Sequence, residues 1–148
     1  MTMTLFRNVD GSTADPVETW PYEGMVSVIE HGLLPDWRPL IAHIRQHPWG
    51  KVARALEAYL GYAEDARQVA FFRLMLDRAR SRAESEERFE VARRIRGHLE
   101  ASGLTRAEFA RAIGTSPSRL STYLSGKVVP SAALMVRMER VVQAVEKS

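Results

Sequence analysis

Apolar positions recur along this chain at spacings of three and four. Nowhere do they alternate with a sustained period of two, so the sequence predicts helices throughout. Met25, Val28 and Ile29 share one face of a segment over 21–32 that Gly32 ends. Leu40, Ile41 and Ile44 form the stripe of a second segment, 36–47, with Asp36 as its N-cap and His47-Pro48 as its stop. Val52, Ala55, Leu56, Tyr59 and Leu60 line a third, over 49–63. Asp15-Pro16 reads as a cap followed by a first-turn proline, and Pro21 limits that first helix. Residues 1–15 show little periodicity and read as an irregular arm.

Between Asp65 and Ser102 there is no proline, and the only glycine is Gly97. The stretch opens apolar (QVAFFRLMLDRA), turns almost wholly polar (RSRAESEER), then regains a helical stripe at Phe89, Ala92, Ile95 and Leu99. Two arrangements fit: one long helix whose polar middle bridges two domains, or two helices broken between Ser81 and Ser85. A helical connection is favoured. It divides the chain into the arm 1–15, a small helical bundle 16–83 and a second domain 84–148. The fold class is all-α.

The most informative stretch is GLTRAEFARAIGTSPSRLSTYLSGKVVPS, residues 103–131. Gly103 suits a left-handed cap on the preceding helix. Thr105 opens the next, and Glu108 three residues on completes a capping box. Phe109, Ala110 and Ile113 form its inner face, with Ala110 small where the following helix must cross. Gly114 supplies the positive φ that a tight interhelical turn needs. Ser116 caps the next helix, and Pro117 takes its first position, where a missing N–H costs nothing. Leu120 and Leu124, with Tyr123, anchor that helix, and Gly126 ends it. Ser118, Arg119, Ser121 and Thr122 remain on or near the outer face. Short polar groups plus one arginine suit a helix that must lie in the major groove.

Composition adds to this in three ways. The chain has 148 residues and no cysteine, which excludes a disulfide framework, a thiolate zinc site and a cysteine nucleophile, and suits the cytoplasm. No apolar run approaches the ~20 residues of a membrane span, and MTMTLFRNVDGSTADP does not read as a signal peptide. Residues 1–80 carry 9 basic and 10 acidic side chains, whereas 81–148 carry 12 and 8. Between Arg88 and Lys127 the balance is 8 against 3, a distribution that suits an anionic partner as well as a solvated face.

The ordered set Thr105, Glu108, Ala110, Gly114, Ser116, Leu120, Gly126, Lys127 and Pro130 resembles the helix-turn-helix of the Xre family, which includes the phage Cro- and cI-type repressors. The resemblance spans 86–146, with flanking helices at 86–102 and 131–146, and implies a lambda-repressor-like helix-turn-helix domain that binds double-stranded DNA. It implies a recognition helix over 116–125. Ser116, Pro117, Ser118, Arg119, Ser121 and Thr122 would then face bases or phosphates. Arg106 stands where the family often has Gln and would meet phosphate, as would Lys127 after the terminal glycine and the basic residues of helix 88–96. Pro117 departs from the family, where a long polar side chain is frequent. A fifth helix, usual in repressors of this family, does not follow before Ser148. The last helix, with Leu134, Met138, Val141 and Val145 on one face, is therefore expected to close the core alone or pack on another subunit.

Other chemistry fares worse. His43 and His47 are four apart and share a helical face that could hold one metal, yet the glutamate of a zinc-protease helix is missing; two solvent-side histidines explain them better. His31 and His98 are isolated. Gly24, Gly32, Gly50 and Gly61 make no phosphate loop. Ser116, Ser118 and Ser121 have no histidine–aspartate pattern, and core packing explains Trp20, Trp37 and Trp49. The expectation is a non-enzyme without cofactor or metal: a homodimeric transcriptional repressor that does not enter a membrane. The alternative is an antitoxin whose residues 1–83 bind a toxin while the C-terminal half autoregulates the operon. A metal hydrolase built on His43 and His47 is the third reading.

Overall fold

The computed structural model describes residues 5–6 and 11–148. Among them are seven α-helices and a 3-10 turn, Val17–Thr19, with no strand. The helices are α1 (Tyr22–His31), α2 (Leu34–Gln46), α3 (Lys51–Leu60), α4 (Ala66–Ser102), α5 (Arg106–Ile113), α6 (Pro117–Leu124) and α7 (Ala132–Glu146). The chain divides into two compact units, residues 1–83 and 84–148.

Of the two arrangements for 65–102, the structure has one continuous helix. Its polar middle is rich in Arg, Ala and Glu, which hold helical dihedrals without help from a core, and no Gly or Pro interrupts it.

In the first unit the buried positions are Met25 and Ile29 of α1, Leu40, Ile41 and Ile44 of α2, and Val52, Ala53, Leu56, Tyr59 and Leu60 of α3. Phe72, Met75, Leu76 and Ala79 of α4 complete this core. A smaller cluster joins Leu5, Phe6 and Val28, against which Trp20 and Trp37 pack. Both indoles are satisfied: Trp20 Nε1 donates to the Asp15 carbonyl and Trp37 Nε1 to the Val28 carbonyl, each at 2.9 Å. Leu5 and Phe6 are therefore packed into the unit, a part of the arm that its polar surroundings concealed. The arm's residues 1–4 and 7–10 lie outside the described residues.

Two caps differ from expectation. α2 begins two residues before Asp36, which sits at its third position; its carboxylate accepts the Leu33 N–H at 2.8 Å. Pro39 inside α2 removes only one donor, in the second turn. Asp15 does not cap the first turn. Its carboxylate accepts the Ser12 N–H, and the 3-10 turn closes through Thr19 N–H to the Pro16 carbonyl.

The second unit packs Ile95 of α4, Phe109, Ala110 and Ile113 of α5, Leu120 and Leu124 of α6, and Leu134 and Met138 of α7. Val91, Leu99, Leu104, Tyr123, Met135 and Val141 flank them. Two expected core positions lie outside. Phe89 is 61% exposed, its ring beside Gly126. Val145 is 42% exposed, in the last turn of α7, past the reach of the core.

Candidate DNA-binding surface

Gly103, at φ +69°, ends α4, and the nearly buried Ser102 hydroxyl donates to the Leu99 carbonyl while accepting the Leu104 N–H. The chain then enters α5 through a reciprocal cap. Thr105 Oγ1 accepts the Glu108 N–H at 3.2 Å, and Glu108 Oε1 accepts the Thr105 N–H at 3.4 Å. α5 ends at Gly114, φ +79°. Thr115 N–H reaches back to the Ala110 carbonyl and Gly114 N–H to that of Arg111, the paired bonds of a Schellman turn. Ser116 Oγ then accepts the Arg119 N–H at 3.2 Å and opens α6, with Pro117 at its first position. α6 ends in the same way: Gly126 has φ +77°, Lys127 N–H bonds the Thr122 carbonyl and Gly126 N–H that of Tyr123.

These turns leave the last carbonyl of each helix without a backbone donor, and two arginines supply one. Arg137 Nη1 of α7 donates to the Ile113 carbonyl at 3.2 Å. Arg96 of α4 forks onto the Leu124 carbonyl through Nε at 3.0 Å and Nη2 at 2.8 Å. Each of the paired helices is thus held at its C-terminus by a guanidinium from a flanking helix. Arg96, expected on phosphate, is occupied in this way. Arg93 and Arg94 are also engaged, both with Glu90, whose carboxyl is held below its usual range first by the Arg94 hydrogen bond and then by Arg93. Of the basic residues in 88–96, Arg88 alone has a side chain without a hydrogen bond or ion pair among the described residues. The Arg96 and Arg137 struts were missed because their signal is three-dimensional: nothing in sequence pairs residue 96 with 124 or 137 with 113.

Replacing Arg96 by Met is expected to cost about 1–2 kcal/mol by stranding the Leu124 carbonyl. The melting temperature should fall by roughly 5–10 °C in the absence of DNA, and Lys should recover part of it. An unchanged melt would return Arg96 to a purely solvent-facing role.

The residues singled out on α6 divide by what they already hold. Arg119 and Ser121 are exposed, and their side chains make no hydrogen bond among the described residues. Ser118 is exposed, with its hydroxyl 3.3 Å from that of Ser116. Pro117 is exposed, and Ser116 is committed to the cap. Thr122 is half-buried and its hydroxyl donates to the Arg119 carbonyl at 2.6 Å, so its methyl and the lone pairs of its oxygen are left to offer. Arg106 on α5 and Lys127 after Gly126 are exposed cations without a partner among the described residues. Arg111, exposed on α5, is a further such cation that sequence reasoning passed over.

The succession of α5, a left-handed glycine turn and α6, sharing one core with α7 and the end of α4, is matched outside this chain. Residues 90–146 fit a family model described as a helix-turn-helix domain. This segment is a helix-turn-helix domain. No curated protein and no solved structure matches the chain.

Away from the helix-turn-helix domain, His43 and His47 do stack, with ring centroids 4.7 Å apart. His43 Nδ1 lies 3.6 Å from the Glu18 carboxylate, and burial followed by the charge of His47 holds the His43 imidazole below its ordinary pKa. No group of three or more His, Cys, Asp or Glu side chains able to hold a metal occurs among the described residues. No described helix is long and apolar enough to cross a membrane.

Proposed function

We propose that this protein is a sequence-specific DNA-binding transcriptional regulator, acting in the cytoplasm as a homodimeric repressor, with residues 84–148 as its DNA-binding domain. The helix-turn-helix domain carries this reading, because its second helix presents uncommitted polar groups beside exposed cations without partners. Arg106 and Lys127, with Arg88 and Arg111, supply phosphate contacts that hold the domain in register. Ser118, Arg119 and Ser121 face the base edges, with the Thr122 methyl beside them. Arg119 is the one side chain among these long enough to fork onto a guanine. Ser116 and Pro117 set the angle at which the helix enters the groove. The chemistry is recognition rather than catalysis, and the reading asks for no cofactor or metal.

A recognition helix of eight residues spans only a few base pairs, too few to select one site in a genome, so two half-sites are required. Footprinting is expected to protect an inverted repeat whose halves lie about 34 Å apart, one helical turn. One unrepeated protected half-site, bound by a monomer at the same concentration, would contradict the dimer.

The first unit favours a second reading alongside this one. Leu33, Leu34, Phe71 and Leu74 are large apolar residues left exposed, and Trp37 of α2 lies 5.7 Å from the Phe71 ring. A patch of this kind serves association. In the repressor reading it receives a second copy of the chain. In the antitoxin reading it covers a toxin encoded beside it, and co-purification from the native operon separates the two.

A further inference from the structure

The 3-10 turn, α1 and α3 of the first unit line a half-open pocket of about 270 Å3 whose walls are Val17, Trp20, Met25, Val52 and Ala55. Two further residues line it, Tyr22 and Lys51. The polar groups of this lining are nearly all spoken for. Trp20 Nε1 donates to the Asp15 carbonyl, so its indole offers the cavity only an apolar ring. The Tyr22 hydroxyl is bonded to that of Tyr62, and its pKa is pushed up to about 12, first by burial and then by that bond. No carboxylate among the described residues lines the space. Lys51 is the exception: its ammonium has no hydrogen bond or ion pair among the described residues.

A mostly apolar pocket, half open to solvent, with one uncommitted lysine in its lining suits a ligand with an apolar body and a single anionic end. A cavity of ~150 Å3 accommodates one benzene, so a pocket of about 270 Å3 has room for a single ring with a short arm. The indole of Trp20 and the phenol of Tyr22 favour an aromatic ring, which stacks offset or edge-on against them. We propose that this cavity binds a small single-ring aromatic carboxylate, with the ring among the apolar walls and the carboxylate on Lys51. The site lies wholly within residues 17–55 and does not depend on the reading of the helix-turn-helix domain.

Calorimetric titration of the full chain with phenylacetate, phenylacetamide and hexanoate tests it. Phenylacetate is expected to saturate one site per chain. The neutral amide, which forfeits the charge-assisted bond, should bind about tenfold more weakly. Lys51→Met, on an exposed side chain, should abolish that preference while leaving the fold intact. Ala55→Phe, which fills the chamber from a half-buried position, should abolish binding of both ring compounds. Three results would overturn the proposal: no saturable heat with phenylacetate, equal affinity for acid and amide, or undiminished binding to a folded Ala55→Phe protein. Hexanoate binding as tightly as phenylacetate would overturn the aromatic assignment.

Discussion

Gly114→Val is expected to lower the melting temperature of residues 84–148 by roughly 10 °C or more, and to abolish DNA binding at temperatures where the native protein binds. Gly114 sits at φ +79°, and a Cβ built there would meet nothing closer than the Arg137 guanidinium at 3.5 Å. Space is therefore available, and the penalty comes from the backbone. A β-branched residue resists the left-handed region at a cost of about 1–3 kcal/mol. The unit has 65 residues and one small core, so its total stability is modest and a loss of that size is a large share of it. Asn, which tolerates this conformation, should recover most of the loss, whereas Ala should recover less. Ala110→Leu reaches the same outcome by another route. Ala110 is fully buried in the core shared by α5 and α6, and added methylenes there overpack by about 1–3 kcal/mol. A native melting curve in both variants would place the interhelical turn elsewhere.

The second large effect concerns DNA. Arg106→Ala and Arg119→Ala are expected to fail in different ways. Arg106 is the first residue of α5 and Arg119 the third of α6; both are exposed and unpaired among the described residues. In the proposed reading Arg106 meets only phosphate, so its loss should weaken selected and scrambled duplexes by similar factors. It should also reduce the salt slope by about one unit. In the same reading Arg119 faces a guanine edge from α6, and losing a bidentate contact of that kind costs about 1–3 kcal/mol of discrimination. Its removal should weaken the selected duplex far more than the scrambled one and relax the preference at one base pair per half-site. Equal weakening of both duplexes would reassign base reading to Ser118 and Ser121.

The sequence made the helix-turn-helix legible almost atom by atom, because its signals are local. The caps at Thr105 and Ser116 and the left-handed glycines 103, 114 and 126 each act within five residues of themselves. What escaped was everything that depends on a partner far along the chain. Arg96 looks like any surface cation until the Leu124 carbonyl is brought to it. Phe89 fits a helical stripe, yet that stripe outruns the core it faces. Leu5 and Phe6 stand in a polar arm, and only the fold supplies Val28, Trp20 and Trp37 to cover them. The start of α2 was misplaced because Asp36 caps equally well from the third position as from the N-cap. The cavity beside Lys51 had no sequence signal, since its walls come from three elements.

The central claim is that α6 reads DNA sequence on a backbone-anchored domain. Its most direct measurement is selection of the full chain against a pool of random duplexes, followed by titration of the winner and a scrambled control at several salt concentrations. The account predicts enrichment of one inverted repeat, bound roughly a thousandfold or more tightly than the control. Affinity for both duplexes should fall linearly in log–log form as salt rises. No enriched sequence, with equal and salt-insensitive affinity for the two duplexes, would contradict it.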